Sequence, residues 1–141
     1  MLDRNKIEEI KELIRAAAIN NVIAYAQISF PNENAGFIFA NGAVQSTCNI
    51  IETLGDKSLT SQNAFLIDSE SWNIASKYHS PVICVYHSHT NGSTEMSQSD
   101  QVFLKWPNLC YLIVGILDHH PTAAKLYWWQ ENELQEISIQ L

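Results

Sequence analysis

"PVICVYHSHTNGSTEMSQSD", residues 81–100, is the stretch on which the fold turns. From Val82 to Tyr86 the side chains are apolar without alternation, the pattern of a strand buried on both faces, and Pro81 opens it. The strand ends in His87-Ser88-His89. Alternate residues of a strand share a side, so His87 and His89 can offer two imidazoles to one point. Imidazole suits zinc, and a third ligand from a carboxylate leaves a fourth position for water, the layout of a catalytic site rather than a closed structural one. Asp100 is the candidate third ligand, because the intervening "TNGSTEM" is polar, carries Asn91-Gly92 and can turn the chain back across the strand end. Ser97-x-x-Asp100 also reads as a helix capping box. The two readings are compatible, since the first turn of a helix mounts a ligand rigidly.

Towards the amino terminus, residues 5–29 show helical spacing: Ile7, Ile10, Leu13, Ile14, Ala17 and Ala18 lie on one face, opposite Glu8, Glu9, Lys11, Glu12 and Arg15. Asn5 with Glu8 predicts a capping box, and Asn20-Asn21 suggests a division into two helices. After Phe30-Pro31 the period changes. "AGFIFAN" and "AVQSTCNII" read as strands joined by a hairpin at Asn41-Gly42, and "NAFLID" as a short third strand. "SESWNIASKYH" reads as a helix capped by Asp68 or Ser69, with Trp72, Ile74 and Ala75 inward. Beyond residue 100 a short helix is expected, then strands at "LCYLIVGIL", "AKLYWWQ" and "ELQEISI", the last two joined by a turn at Glu131-Asn132. The prediction is a single α/β domain over residues 1–141, a three-layer-like sandwich with a mixed, curved β-sheet flanked by helices.

Composition narrows the function. With 46% hydrophobic and 16% charged residues among 141, the chain is ordinary globular material. Its net charge of -7, from 15 acids against 8 bases, and the lack of a basic stripe argue against nucleic acid as a partner. The start "MLDRNKIEEI" is no signal peptide, and the longest apolar run, Cys110 to Leu117, is too short to cross a bilayer. A cytoplasmic protein without membrane contact is expected. Cys48, Cys84 and Cys110 are far apart, form no Cys-x-x-Cys pair and read as buried free thiols.

His87-Ser88-His89, seven residues, Ser97, two residues and Asp100 together resemble the JAMM (MPN+) zinc metalloprotease motif. In that family a catalytic Glu lies upstream, after the first helix, in a phrase like Pro-x-Glu-x-x-Gly. Here "FPNENAGFIF" puts the carboxylate on Glu33. The resemblance covers nearly the whole chain and follows the compact bacterial and phage branch. It implies the cytidine-deaminase-like architecture, one Zn2+ held by His87, His89 and Asp100, Glu33 as general base, and Ser97 as a donor to the oxyanion. It also implies hydrolysis of the peptide or isopeptide bond after the carboxyl terminus of a ubiquitin-like protein, bound through an extended tail. Other roles in the family are tail-assembly or cell-wall peptidase and metal-free scaffold. Ala35-Gly36, Thr90 and Met96 stand where relatives often have Cys-Gly and prolines, which touches substrate contact rather than chemistry.

Three further histidines read differently. His119 and His120, before Pro121, suit a solvated turn that could still approach the metal, and His79 suits a helix end, where a partly charged ring favours the dipole. Trp72, Trp106, Trp128 and Trp129 are core or groove candidates, and adjacent Trp128 and Trp129 must face opposite sides of a strand.

Overall fold

The computed structural model describes residues 2–97, 100 and 108–141. The short helix expected beyond Asp100, and Trp106, lie outside the described residues. Helix α1 spans Arg4–Leu13 and α2 Ile19–Ser29. They are joined by a wider turn, Ile14–Ala18, in which the Ile19 N–H reaches back to Ile14 O. The division therefore falls before Asn20-Asn21. The helix begins at Asp3, whose carboxylate accepts the Lys6 N–H at 2.8 Å; the predicted Asn5–Glu8 box does not form, because Asn5 is already inside the first turn.

Strands β1 (Ala35–Phe39), β2 (Val44–Ser46), β3 (Val82–His89), β4 (Cys110–Leu117), β5 (His120–Gln130) and β6 (Glu133–Ile139) form one sheet in the order β2-β1-β3-β4-β5-β6. β3 and β4 are parallel and every other pair is antiparallel, so the sheet is mixed. The helices α1 and α2 cover one face, packing Ile7, Ile10, Ile14, Val22 and Ala26 against Tyr86, Leu112, Leu126 and Trp128. On the other face Trp72 and Ala75 of α3 (Ser69–Ser76) join Phe37, Val85, Tyr111, Ile113 and Tyr127. Helices thus flank the sheet on both sides, and β3 and β4 are buried from both, as their unbroken apolar runs demand.

Several local expectations change. β2 is much shorter than "AVQSTCNII", and "NAFLID" is not a strand. Its backbone is held mainly by a side chain: Asn49 donates to Ala64 O at 2.9 Å and accepts the Leu66 N–H at 3.2 Å, beside a lone backbone bond from Ile50 N–H to Leu66 O at 3.2 Å. Phe65 and Ile67 still pack inward, so the apolar alternation served packing without a ladder. α3 is capped by Asp68 and stops at Ser76, leaving His79 beyond the helix, where its ring lies 4.2 Å from that of Tyr78. Ile74 points outward, 51% exposed. Cys84 and Cys110 are buried free thiols paired in register across β3 and β4, but Cys48 is exposed, because β2 ends at Ser46 and the chain leaves the sheet there. Both hairpin predictions hold. Asn41 accepts the Ala43 N–H through its side chain beside Gly42 at φ +88, and Glu131 and Asn132 both take positive φ between β5 and β6. Trp128 is fully buried under the helices, while Trp129 faces the other side and is half-buried.

Candidate metal centre

The site lies at the carboxyl end of β3. His87 and His89 share the face of the sheet that carries Val85, and Ser88 between them points to the opposite face. The loop after β3 returns the chain so that Asp100 meets both rings. His87 Nε2 lies 2.9 Å from Asp100 Oδ1, His89 Nε2 lies 2.9 Å from Asp100 Oδ2, and the two Nε2 atoms are 3.1 Å apart. All three residues are buried. The turn that mounts Asp100 is the reciprocal box expected of Ser97-x-x-Asp100: Ser97 N–H donates to Asp100 Oδ2 at 2.8 Å, and Asp100 N–H donates to Ser97 Oγ at 3.2 Å.

Protonation follows from these contacts. His89 Nδ1 is 3.0 Å from Ser93 O, which can only accept, so Nδ1 carries a proton and Nε2 is the ring atom turned towards His87 and Asp100. Burial works against a charged ring at His89, yet the hydrogen bond and charge of Asp100 outweigh it and raise its pKa. Burial likewise opposes the Asp100 carboxylate, but hydrogen bonds from His87 and His89 hold it well below the usual carboxylate range. Two imidazole nitrogens and a carboxylate pointed at one another need a cation or a shared proton between them. Their donor atoms all lie within 4.8 Å, a group able to hold a metal ion. The donor chemistry fits a divalent metal that accepts nitrogen and oxygen ligands.

Glu33 comes to the same place from the other end of the chain. The segment before β1 continues the ladder onto β3: Ser88 N–H donates to Asn34 O at 2.8 Å, and Asn34 N–H donates to Ser88 Oγ at 2.8 Å. Asn34 is itself buried, accepting from Tyr86 OH at 2.7 Å and donating to Ser46 Oγ at 2.8 Å. This clamp sets Glu33 beside the histidines. No sequence motif announced Asn34 or Tyr86; only their burial as polar groups marks them. The Glu33 carboxyl is 6% exposed, and burial, against the pull of His89, pushes its pKa up to about 8. Its Oε1 is a buried oxygen without a hydrogen-bond partner among the described residues. Buried carboxylate oxygens are costly to leave unpaired, so this one points to a partner from outside the chain. Glu33, His89 and Ser97 line one cleft of about 430 Å3, with Gln62, Asn63 and Asn91.

The remaining histidines stay apart. Among the described residues neither His79, His119 nor His120 joins the metal-ligand group. His119 instead stacks on Phe30 at 4.5 Å, within hydrogen-bond reach of Gln27 O, and His120 opens β5.

Comparison with known proteins agrees with this layout. The profile of a family described as prokaryotic homologs of the JAB domain matches residues 15–130. Among solved structures, a protein of Desulfitobacterium hafniense determined in solution is 20% identical, with 84% of each chain covered and a TM-score of 0.65. Another, from Salinibacter ruber, is 18% identical, covering 85% of this chain and 84% of that one, with a TM-score of 0.55. At these identities the likeness is one of fold. A search of curated proteins finds no match. Among the described residues no helix is long and apolar enough to cross a membrane.

Proposed function

The chain belongs to the prokaryotic homologs of the JAB domain, and on that premise we propose that it is a zinc-dependent peptidase, cutting the peptide or isopeptide bond after the carboxyl terminus of a ubiquitin-like protein. One observation carries the reading: three metal donors converge beside a buried carboxyl oxygen that has no partner among the described residues. A site built only for structure would fill its last position from the chain.

His87, His89 and Asp100 would hold the ion. When bound, it supplies Lewis acidity, polarising a carbonyl and lowering the pKa of water towards neutrality. The residues of the chain do the rest. Glu33 takes a proton from the attacking water and passes it to the leaving nitrogen as the carbon–nitrogen bond breaks, because an amine leaves poorly unprotonated. Ser97 donates a hydrogen bond to the oxygen that gains charge. Gln62, Asn63 and Asn91 give the cleft polar amide side chains suited to the backbone of an extended tail.

The test is intact-mass analysis of ubiquitin-like proteins fused through their carboxyl termini to a reporter, with zinc-loaded protein, a chelator control and Glu33→Ala. We expect cleavage directly after the modifier in the first case alone, with Glu33→Ala still binding zinc and His87→Ala or Asp100→Ala losing both zinc and hydrolysis. Undiminished hydrolysis by Glu33→Ala would remove that residue from the mechanism. One zinc per chain without cleavage of any modifier would move the substrate to a tail or cell-wall peptide, and no zinc at all would favour a scaffold.

A further inference from the structure

β5 fastens the loop that follows His89, at points none of which is a metal donor. Thr122 Oγ1 donates to Gly92 O at 2.6 Å, Tyr127 OH donates to Thr94 O at 2.8 Å, and Lys125 Nζ lies 3.0 Å from Glu95 Oε1. Between the first two fastened carbonyls stands Ser93, whose own carbonyl receives the His89 Nδ1 proton. The loop also bonds to itself, Ser93 N–H to Asn91 Oδ1 and Glu95 N–H to Ser93 Oγ, but such bonds shape the loop without placing it on the sheet. Thr90 Oγ1 also ties the loop to Gln62 O at 2.9 Å, and over the strand end it rests on β4 and β5. Gly115 is in register with His89, and a Cβ there would press into Gly92 O and Thr122 Oγ1, so the bare backbone of β4 is what lets the loop lie close.

We propose that Thr122 and Tyr127 are positioning residues for His89. By holding the carbonyls on either side of Ser93, they aim its oxygen at Nδ1–H and so fix the plane of the ring, with Nε2 towards Asp100. A ring's second torsion has a broad minimum, so orientation must come from such a partner, and partners outside the ligand shell commonly change metal affinity ten-fold or more. Lys125 is a weaker tie, because Glu95 is largely exposed and such pairs contribute little. The consequence for metal binding rests on the proposed metal site; the consequence for the ring does not.

The test uses the full chain, with Tyr127→Phe and Thr122→Val, each of which removes one hydroxyl and keeps the shape. Zinc affinity is measured by competition with a chromophoric chelator, and the His89 Nδ1–H bond to Ser93 by the exchange protection of that ring proton in 15N-edited NMR of the metal-free protein. We expect each variant to bind zinc about ten-fold more weakly and its Nδ1–H to exchange faster than in the wild type. Wild-type affinity with unchanged protection in both variants overturns the proposal. Should Tyr127→Phe fail to fold, Thr122→Val decides, since Thr122 is exposed and its change disturbs no core. If the wild-type protein takes up no zinc, the metal reading fails, and the exchange comparison still judges the positioning by itself.

Discussion

Glu33 holds a carboxyl where burial favours the protonated form, and this links its titration to stability. In the unfolded chain it titrates near its ordinary 4.5; in the folded, metal-free protein it titrates at about 8. The folded state therefore binds this proton more tightly. The resulting stability is fully present below 4.5 and is lost as pH rises towards 8, at about 1.4 kcal/mol per pH unit. Glu33→Gln removes that loss. In chelator, the variant should match the wild type at pH 4 in urea denaturation and exceed it at pH 9 by a few kcal/mol, ~3–5 by the same conversion; an equal difference at both values would reject burial as the cause. Of the candidate site, the grouping of His87, His89 and Asp100 was legible from residue types and spacing, whereas Glu33 and the role of Ser97 came only through the family resemblance. Asn34 was not legible, since its role depends on meeting Ser88 and Tyr86, which lie 54 and 52 residues away.

At the scale of elements, patterns of burial read well and patterns of hydrogen bonding did not. β3 and β4 declare themselves by unbroken apolar runs that only two covered faces explain. The segment at 63–68 has a strand's alternation, yet the side chain of Asn49 takes the place of a neighbouring strand. Asn49→Ala should leave Ala64 O and the N–H groups of Ile51 and Leu66 short of partners and cost about 2 kcal/mol. A loss under ~0.5 kcal/mol in urea denaturation, the range of ordinary surface changes, would show that water replaces it. The amino-terminal cap separates the sequence reading from the structure in the same way: Asp3→Ala should cost about 1 kcal/mol and Asn5→Ala much less. A larger loss at Asn5 would restore the first reading.

For the whole molecule, a metal that binds the folded chain alone must raise its stability with concentration, by about 2.7 kcal/mol at a hundred-fold excess over Kd. Thermal unfolding should shift upward with added zinc in the wild type and in Glu33→Gln, and stay fixed in His87→Ala and Asp100→Ala. The three donors arrive within one continuous stretch from β3 to residue 100, whereas Glu33 is delivered by a distant turn pinned through Asn34 to the back of the same strand. On the proposed function, capture of the ion and handling of the proton thus have separate points of failure. A descendant of such an enzyme would fall silent through one loosened turn at residues 31–34 while keeping its ion, its cleft and whatever it grips there. A catalyst of the proposed design is a single substitution away from becoming a receptor for its own substrate.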